Sequence, residues 1–228
     1  MPIEQRTPVP GDPHPGLTRI VAVMDQLRSP GGCAWDAEQT HESLVEYLIE
    51  EAYELVEAID SGDRAHLREE LGDVLLQVVF HSRIAMDDAD DPFNIDDVAD
   101  GIADKLIRRH PHVFGDLHAP DAASTLSAWE MAKAKEKGRT GPLEGLPLAV
   151  PPLTAIGKIR TRAAAVGAQA AVAPPQTPDS DREAAFGDDL LRRVLAAAEE
   201  GIDADRALRR AVARARARVA AQAAGALS

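Results

Sequence analysis

Aromatic residues are scarce in this chain. They make up 4% of its 228 positions, with two Trp, two Tyr and four Phe. Strands usually collect aromatic and β-branched side chains, so the scarcity argues against a β-sandwich and for helices packed on helices. Cysteine is rarer still, with Cys33 alone. A single thiol excludes an internal disulfide framework and fits a reducing compartment. Positive charge is outweighed: 25 Lys and Arg against 38 Asp and Glu give a formal net charge of −13. So acidic a chain is a poor nucleic-acid binder, although divalent cations could bridge it to a nucleotide. No apolar run approaches the roughly 18 residues of a membrane span. The N-terminal MPIEQRTPVPGDPHPG lacks the basic-then-apolar order of a signal peptide. A cytoplasmic protein with no membrane partner is expected.

What is present is apolar residue at helical spacing, in 45% of positions. Residues 1–15, with five prolines, read as a flexible tail. Leu17–Arg28 reads as a short helix, and SPGGCAWD (29–36) as a loop broken by Pro30, Gly31 and Gly32. One long helix is expected from there to about Asp60, with Val45, Leu48, Ala52, Leu55 and Ile59 on one stripe. Ser61–Gly62–Asp63 reads as a tight turn with Asp63 the N-cap of a second helix carrying Leu67, Leu71, Val74, Leu75 and Val78. So short a connection makes the two helices antiparallel. Ile95–Arg109 and Ala122–Lys137 read as further helices, the second of them polar. The expected fold is therefore an all-α, antiparallel helical bundle. Residues 16–140 form its main lobe, 141–152 a linker, and 153–228 a second helical unit with a disordered loop near 171–180.

The stretch LIEEAYELVEAIDSGDRAHLREELGD (48–73) concentrates nine acids around that turn. Glu51 and Glu54 are three apart, as are Glu70 and Asp73, so each pair shares a helical face. Counting rotation along the helix, Glu51 lies about 70° from its apolar stripe and Glu70 about 90° from its own. Both border the core, whereas Glu50 and Glu57 point away. The turn sets 51–54 opposite 70–73. An acidic run is ordinarily a solvated helix face. Here the acids lack matched i,i+4 lysines, and Arg64 and Arg68 are the only Lys or Arg residues in the stretch. Four converging carboxylates offer an oxygen-only site for a hard cation, Mg²⁺ or Mn²⁺. A di-iron bundle would need Glu-x-x-His twice, and only Glu38–His41 fits.

Several segments together resemble the MazG family of nucleoside triphosphate pyrophosphohydrolases. They are GCAWDAEQTHESL (32–44), EEAYE (50–54), EELGD (69–73), DKLIRRHPHVFGD (104–116) and WEMAKAKEK (129–137). The resemblance is strong over about 17–165. It implies the all-α NTP pyrophosphatase fold and Mg²⁺-dependent hydrolysis of NTPs or dNTPs between the α and β phosphates. Carried across by position, Glu51, Glu54, Glu70 and Asp73 would hold Mg²⁺ (Mn²⁺ possible), and Glu50 would orient water or act from behind them. Lys105, Arg108 and Arg109 would meet the phosphates. Trp129 and Lys133 would lie on the nucleotide, with Trp35 near the base.

The residue chemistry is compatible with those roles. A triphosphate needs cations before it can approach four carboxylates. Bases at the end of a helix also simply compensate its dipole. Both tryptophans sit in polar stretches, where stacking on a base and packing against a partner subunit are alike open. His110 and His112, flanking Pro111, read as loop structure, and Cys33 as a bystander.

The second unit echoes the first: AFGDDLL (185–191) follows ELGDVLL (70–76). Ala185 stands where Glu70 does, and IRTRAAAVGAQAA holds no acid, so the second unit reads as a degenerate lobe unable to hold metal. Any active site would then lie in residues 35–135. The first lobe has too few helices to enclose a nucleotide alone, which points to a homodimer or higher homo-oligomer. The competing reading is a catalytically silent nucleotide-binding or regulatory helical dimer.

Overall fold

Every regular element among the described residues is a helix, as the shortage of strand formers implies. The computed structural model describes residues 13–115, 150–175 and 181–226, and scattered positions between 121 and 146. The chain divides into two compact units, Met1–Leu106 and Ile107–Ser228. The division falls inside a helix, earlier than the 141–152 segment that composition suggests as a linker. Most of the expected tail at 1–15 and the loop residues 176–180 lie outside the described residues. So does much of the helix expected at Ala122–Lys137, of which positions 125, 129, 132, 133 and 136 are helical.

In the first unit, α1 spans Pro15–Arg28 and starts on a proline, which costs no hydrogen bond in a first turn. A short α2, Ala34–Glu38, follows the Pro-Gly-Gly loop. Gly32 is required there: a Cβ would meet the carbonyl oxygens of Gln26 and Leu27 at 2.3 Å. The single long helix expected up to Asp60 is broken. Ser43 Oγ accepts from the Thr40 amide at 3.0 Å and donates to Gln39 Oε1 at 2.7 Å. Such side-chain bonds divert backbone groups from the helical ladder, so α3 starts afresh at Val45 and runs to Ser61. Gly62, at φ +76°, ends it in the left-handed conformation. Asp63 caps α4, Arg64–Ala85, by accepting from the amides of Ala65 at 2.8 Å and His66 at 3.3 Å. Those two bonds hold the Asp63 carboxyl below its usual pKa. The next helix, α5, spans Ile95–Arg109 and has both Asp96 and Asp97 in its first turn.

The core of this unit is small. Met24, Leu44, Val79 and Phe80 are buried together, with Ile20, Val21, Tyr47, Leu75, Leu76 and Ile95 packed on them. It therefore sits where α1, the start of α3 and the later turns of α4 meet. The expected α3 stripe does not all join it: Val45, Leu48 and Ile59 remain exposed, as do Leu71 and Val78 of α4.

The second unit contains α6 (Pro111–Phe114), α7 (Pro152–Ala165), a 3₁₀ turn (Gln169–Val172), α8 (Arg182–Glu199) and α9 (Ala204–Ala226). Helix α9 packs on α7 and α8. No helix among the described residues is long and apolar enough to cross a membrane.

Candidate metal centre

The α3–α4 hairpin brings acids from its two arms together. Glu51, Glu70 and Asp73 each offer a carboxylate oxygen, and all three oxygens lie within 4.8 Å of one another. The spacing follows from the sequence: Glu70 and Asp73 are one helical turn apart, and the Gly62–Asp63 reversal folds α3 back beside them. Glu70 is 6% exposed, Asp73 and Glu51 are half-buried, and Glu54 is exposed. Burial of an acid costs free energy unless its charge is met by a partner.

The crowding has an electrostatic consequence. Burial, then Asp73, then Glu54, Glu70 and Glu50 push Glu51 above the ordinary glutamate pKa. Glu54 is raised as well, by desolvation and then by Glu70 and Glu50. Glu54 thus stands in the field of the cluster without joining its closest oxygens. Glu50 is exposed and lies within reach of both Glu51 and Glu54. On Glu70, Oε2 is sealed from solvent with no hydrogen-bond partner. A buried carboxylate oxygen with no donor, on a residue clustered with two further carboxylates, is an arrangement that a bound cation would satisfy. The donors are all oxygen, which suits a hard divalent ion and not a thiolate-seeking one.

One neighbour escapes a reading of the acids alone. His66 Nε2 lies 3.0 Å from Glu70 Oε1. Its i,i+4 spacing to Glu70 was visible in the sequence, but a histidine among nine acids carries no motif of its own.

The other expected residues are placed as follows. Trp35 is half-exposed and meets Tyr47 and Phe80 edge-on, at centroid distances of 6.0 and 6.5 Å. Its loop is fastened by Arg28, whose guanidinium donates to the carbonyls of Asp36 and Gln39 and lies 5.6 Å over the Phe80 ring. Lys105 is half-buried on α5. In the second unit, Arg109 is 6% exposed and its Nε and NH2 nitrogens reach Glu136 Oε2 at 2.9 and 2.8 Å. Arg108 reaches the other oxygen of Glu136 at 3.4 Å. These cations lower the Glu136 pKa, Arg109 first. Two cations approach the Trp129 ring, Arg109 at 5.3 Å and Lys133 at 4.6 Å from its centre. Cys33 is half-buried, and the rings of His110 and His112 lie 5.5 Å apart.

Residues 39–114, which hold the whole acidic hairpin, match the MazG nucleotide pyrophosphohydrolase domain. A Streptomyces cacaoi protein, described as an uncharacterized 26.1 kDa protein in the blaB 3′ region, is 50% identical over 87% of this chain and 79% of its own length. The chain belongs to the MazG family. The nucleoside triphosphate pyrophosphohydrolase/pyrophosphatase MazG of Thermotoga maritima is 50% identical over 65% of this chain. The nucleoside triphosphate pyrophosphohydrolase of Escherichia coli is 41% identical over 66% of it. This chain spans little more than half of those two MazG proteins, 56% and 58% of their lengths.

Proposed function

We propose that this MazG chain hydrolyses nucleoside triphosphates, ribose or deoxyribose, between the α and β phosphates. The observation that carries the reading is the buried, donorless Oε2 of Glu70 within an all-carboxylate cluster. Glu51, Glu54, Glu70 and Asp73 would hold Mg²⁺, with Mn²⁺ as a substitute. Bound there, the cation neutralises phosphate charge and lowers the pKa of water.

The chain's own residues supply the rest. Glu50 is exposed beside the cluster, where a carboxylate can accept a proton from an attacking water. The water oxygen bonds to phosphorus, the bridging P–O bond breaks, and pyrophosphate departs with the bonding electrons. A monophosphate and one proton complete the balance. Lys105, Arg108 and Arg109 would bind the phosphates, with Arg109 held in place by Glu136. Trp129 and Lys133 would lie on the nucleotide, and Trp35 would lie near the base.

Exposed Leu48, Ile59 and Leu71 on the hairpin support a homodimer that buries this side of the molecule. In this reading residues 16–140 are the catalytic lobe and 153–228 a degenerate second one, in a cytoplasmic enzyme. The test is product analysis with a panel of NTPs and dNTPs, with and without Mg²⁺. Monophosphate plus pyrophosphate, strictly Mg²⁺-dependent, is expected. Diphosphate plus phosphate would overturn the cleavage position. Absence of turnover would favour the silent nucleotide-binding dimer.

A further inference from the structure

The two oxygens of the Glu70 carboxylate have different surroundings. Oε1 is 3.0 Å from His66 Nε2, and Oε2 is buried without a hydrogen-bond partner. We infer that His66 is a positioning residue for the metal centre: it anchors Glu70 through Oε1 and leaves Oε2 as the oxygen presented to the cation. The inference rests on the metal reading above and extends it to a residue outside the acid pattern.

The chain builds this contact in steps. Asp63 Oδ1 accepts from the His66 amide at 3.3 Å and so fixes the first turn of α4. From there, four residues bring the His66 ring beside Glu70 on one helical face. A carboxylate oxygen accepts, and an imidazole N–H can donate to it, so the 3.0 Å contact is a hydrogen bond from His66 Nε2 to Glu70 Oε1. The terminal torsion of a glutamate is broad and has no sharp staggered wells. A carboxylate tied at neither oxygen would therefore swing. One bond to Oε1 removes that freedom and selects the face that Oε2 presents. Outer hydrogen bonds of this kind orient metal-binding carboxylates elsewhere in proteins. His66 also stands within electrostatic reach of Glu54 across the hairpin, so it borders acids of both helices. Its side chain is 38% exposed, against 8% for Glu70.

The experiment is a Mn²⁺ titration without nucleotide, with free ion followed by electron paramagnetic resonance. It compares wild type, His66→Ala, His66→Gln and Glu70→Gln, with thermal melting of each variant alongside. Wild type binds and Glu70→Gln loses the ion. His66→Ala weakens Mn²⁺ binding by roughly 10- to 100-fold, the usual cost of losing an outer partner. His66→Gln, whose amide N–H can reach the same oxygen, keeps most of the affinity. In turnover, His66→Ala needs more Mg²⁺ for half-saturation and regains its rate when Mg²⁺ saturates. Unchanged or tighter Mn²⁺ binding by His66→Ala, beside a wild type that binds, overturns the role of His66 and leaves the metal centre standing. Equal loss in His66→Ala and His66→Gln, with both melting early, also overturns it in favour of a folding role. Failure of wild type to bind Mn²⁺ overturns the metal centre itself.

Discussion

Replacing Glu51 by Gln removes one charge and keeps the side-chain shape. Its oxygen lies within 4.8 Å of oxygens from Glu70 and Asp73. Two unit charges at that separation repel by roughly 3 kcal/mol at an effective dielectric near 20, and by about 1 kcal/mol in bulk water. Glu70 is buried while Glu51 and Asp73 are half-exposed. After allowance for solvent screening, Glu51→Gln should stabilise the metal-free protein by about 1–2 kcal/mol. For a chain of this size each kcal/mol moves Tm by about 2–4 °C.

The pH dependence has a definite sign. Burial and the neighbouring acids raise the folded-state pKa of Glu51, so the folded chain holds that proton more tightly than the unfolded one. The resulting stability is fully present below about pH 4.3, the unfolded value. It is lost as pH rises through the folded pKa. The Tm gap between Glu51→Gln and wild type should therefore widen above that pH and then level off. Mg²⁺ reverses the order, because an ion at 100 times its Kd adds about 2.7 kcal/mol to the protein that binds it. Calorimetry in EDTA and in Mg²⁺, from pH 4 to pH 8, reads all of this. A Glu51→Gln protein that melts below wild type in EDTA, with Mg²⁺ raising both equally, would refute the argument.

The His41 and His81 rings stack at 5.1 Å with their Nδ1 atoms 2.8 Å apart, and burial followed by His41 lowers the His81 pKa. The stability this gives is present above about pH 6.5 and lost as pH falls through the folded value; urea midpoints should drop over that window, and His81→Gln should flatten the slope. Arg109→Lys cannot reproduce the two-nitrogen grip on Glu136, and steady-state kinetics should show a triphosphate KM raised about tenfold with kcat little changed. Leu48→Lys combined with Ile59→Lys charges the exposed α3 stripe, and sedimentation should show the proposed homodimer converted to monomer with its helix content kept.

Much of the first unit could be read from one-dimensional pattern. The ends of α5 at Ile95 and Arg109, the turn at Gly62 and the Asp63 cap all match their expected positions. Each is set by neighbours within a few residues, through a left-handed glycine, a capping carboxylate or a change of periodicity. The break at 39–44 is equally local, but it depends on paired side-chain bonds of Thr40 and Ser43 that periodicity does not register. The acid pairs were visible for the same reason, since i,i+3 spacing fixes a shared face before any tertiary contact forms.

Distances between chain-remote groups depend on packing. Spacing alone gave four equivalent acids; the folded hairpin puts Glu51, Glu70 and Asp73 in closest reach and leaves Glu54 exposed beside them. It also buries Glu70 and leaves one of its oxygens without a donor, while His66 holds the other. Likewise, only packing decides that the Val45, Leu48 and Ile59 stripe stays in solvent while Met24, Leu44, Val79 and Phe80 make the core. The sequence by itself determined that the chain is helical, where the hairpin turns and which acids share a face, because those follow from short-range sterics and hydrogen bonding. Only the tertiary structure decided which carboxylate is desolvated and which apolar face stays bare, because burial depends on residues far away in the chain.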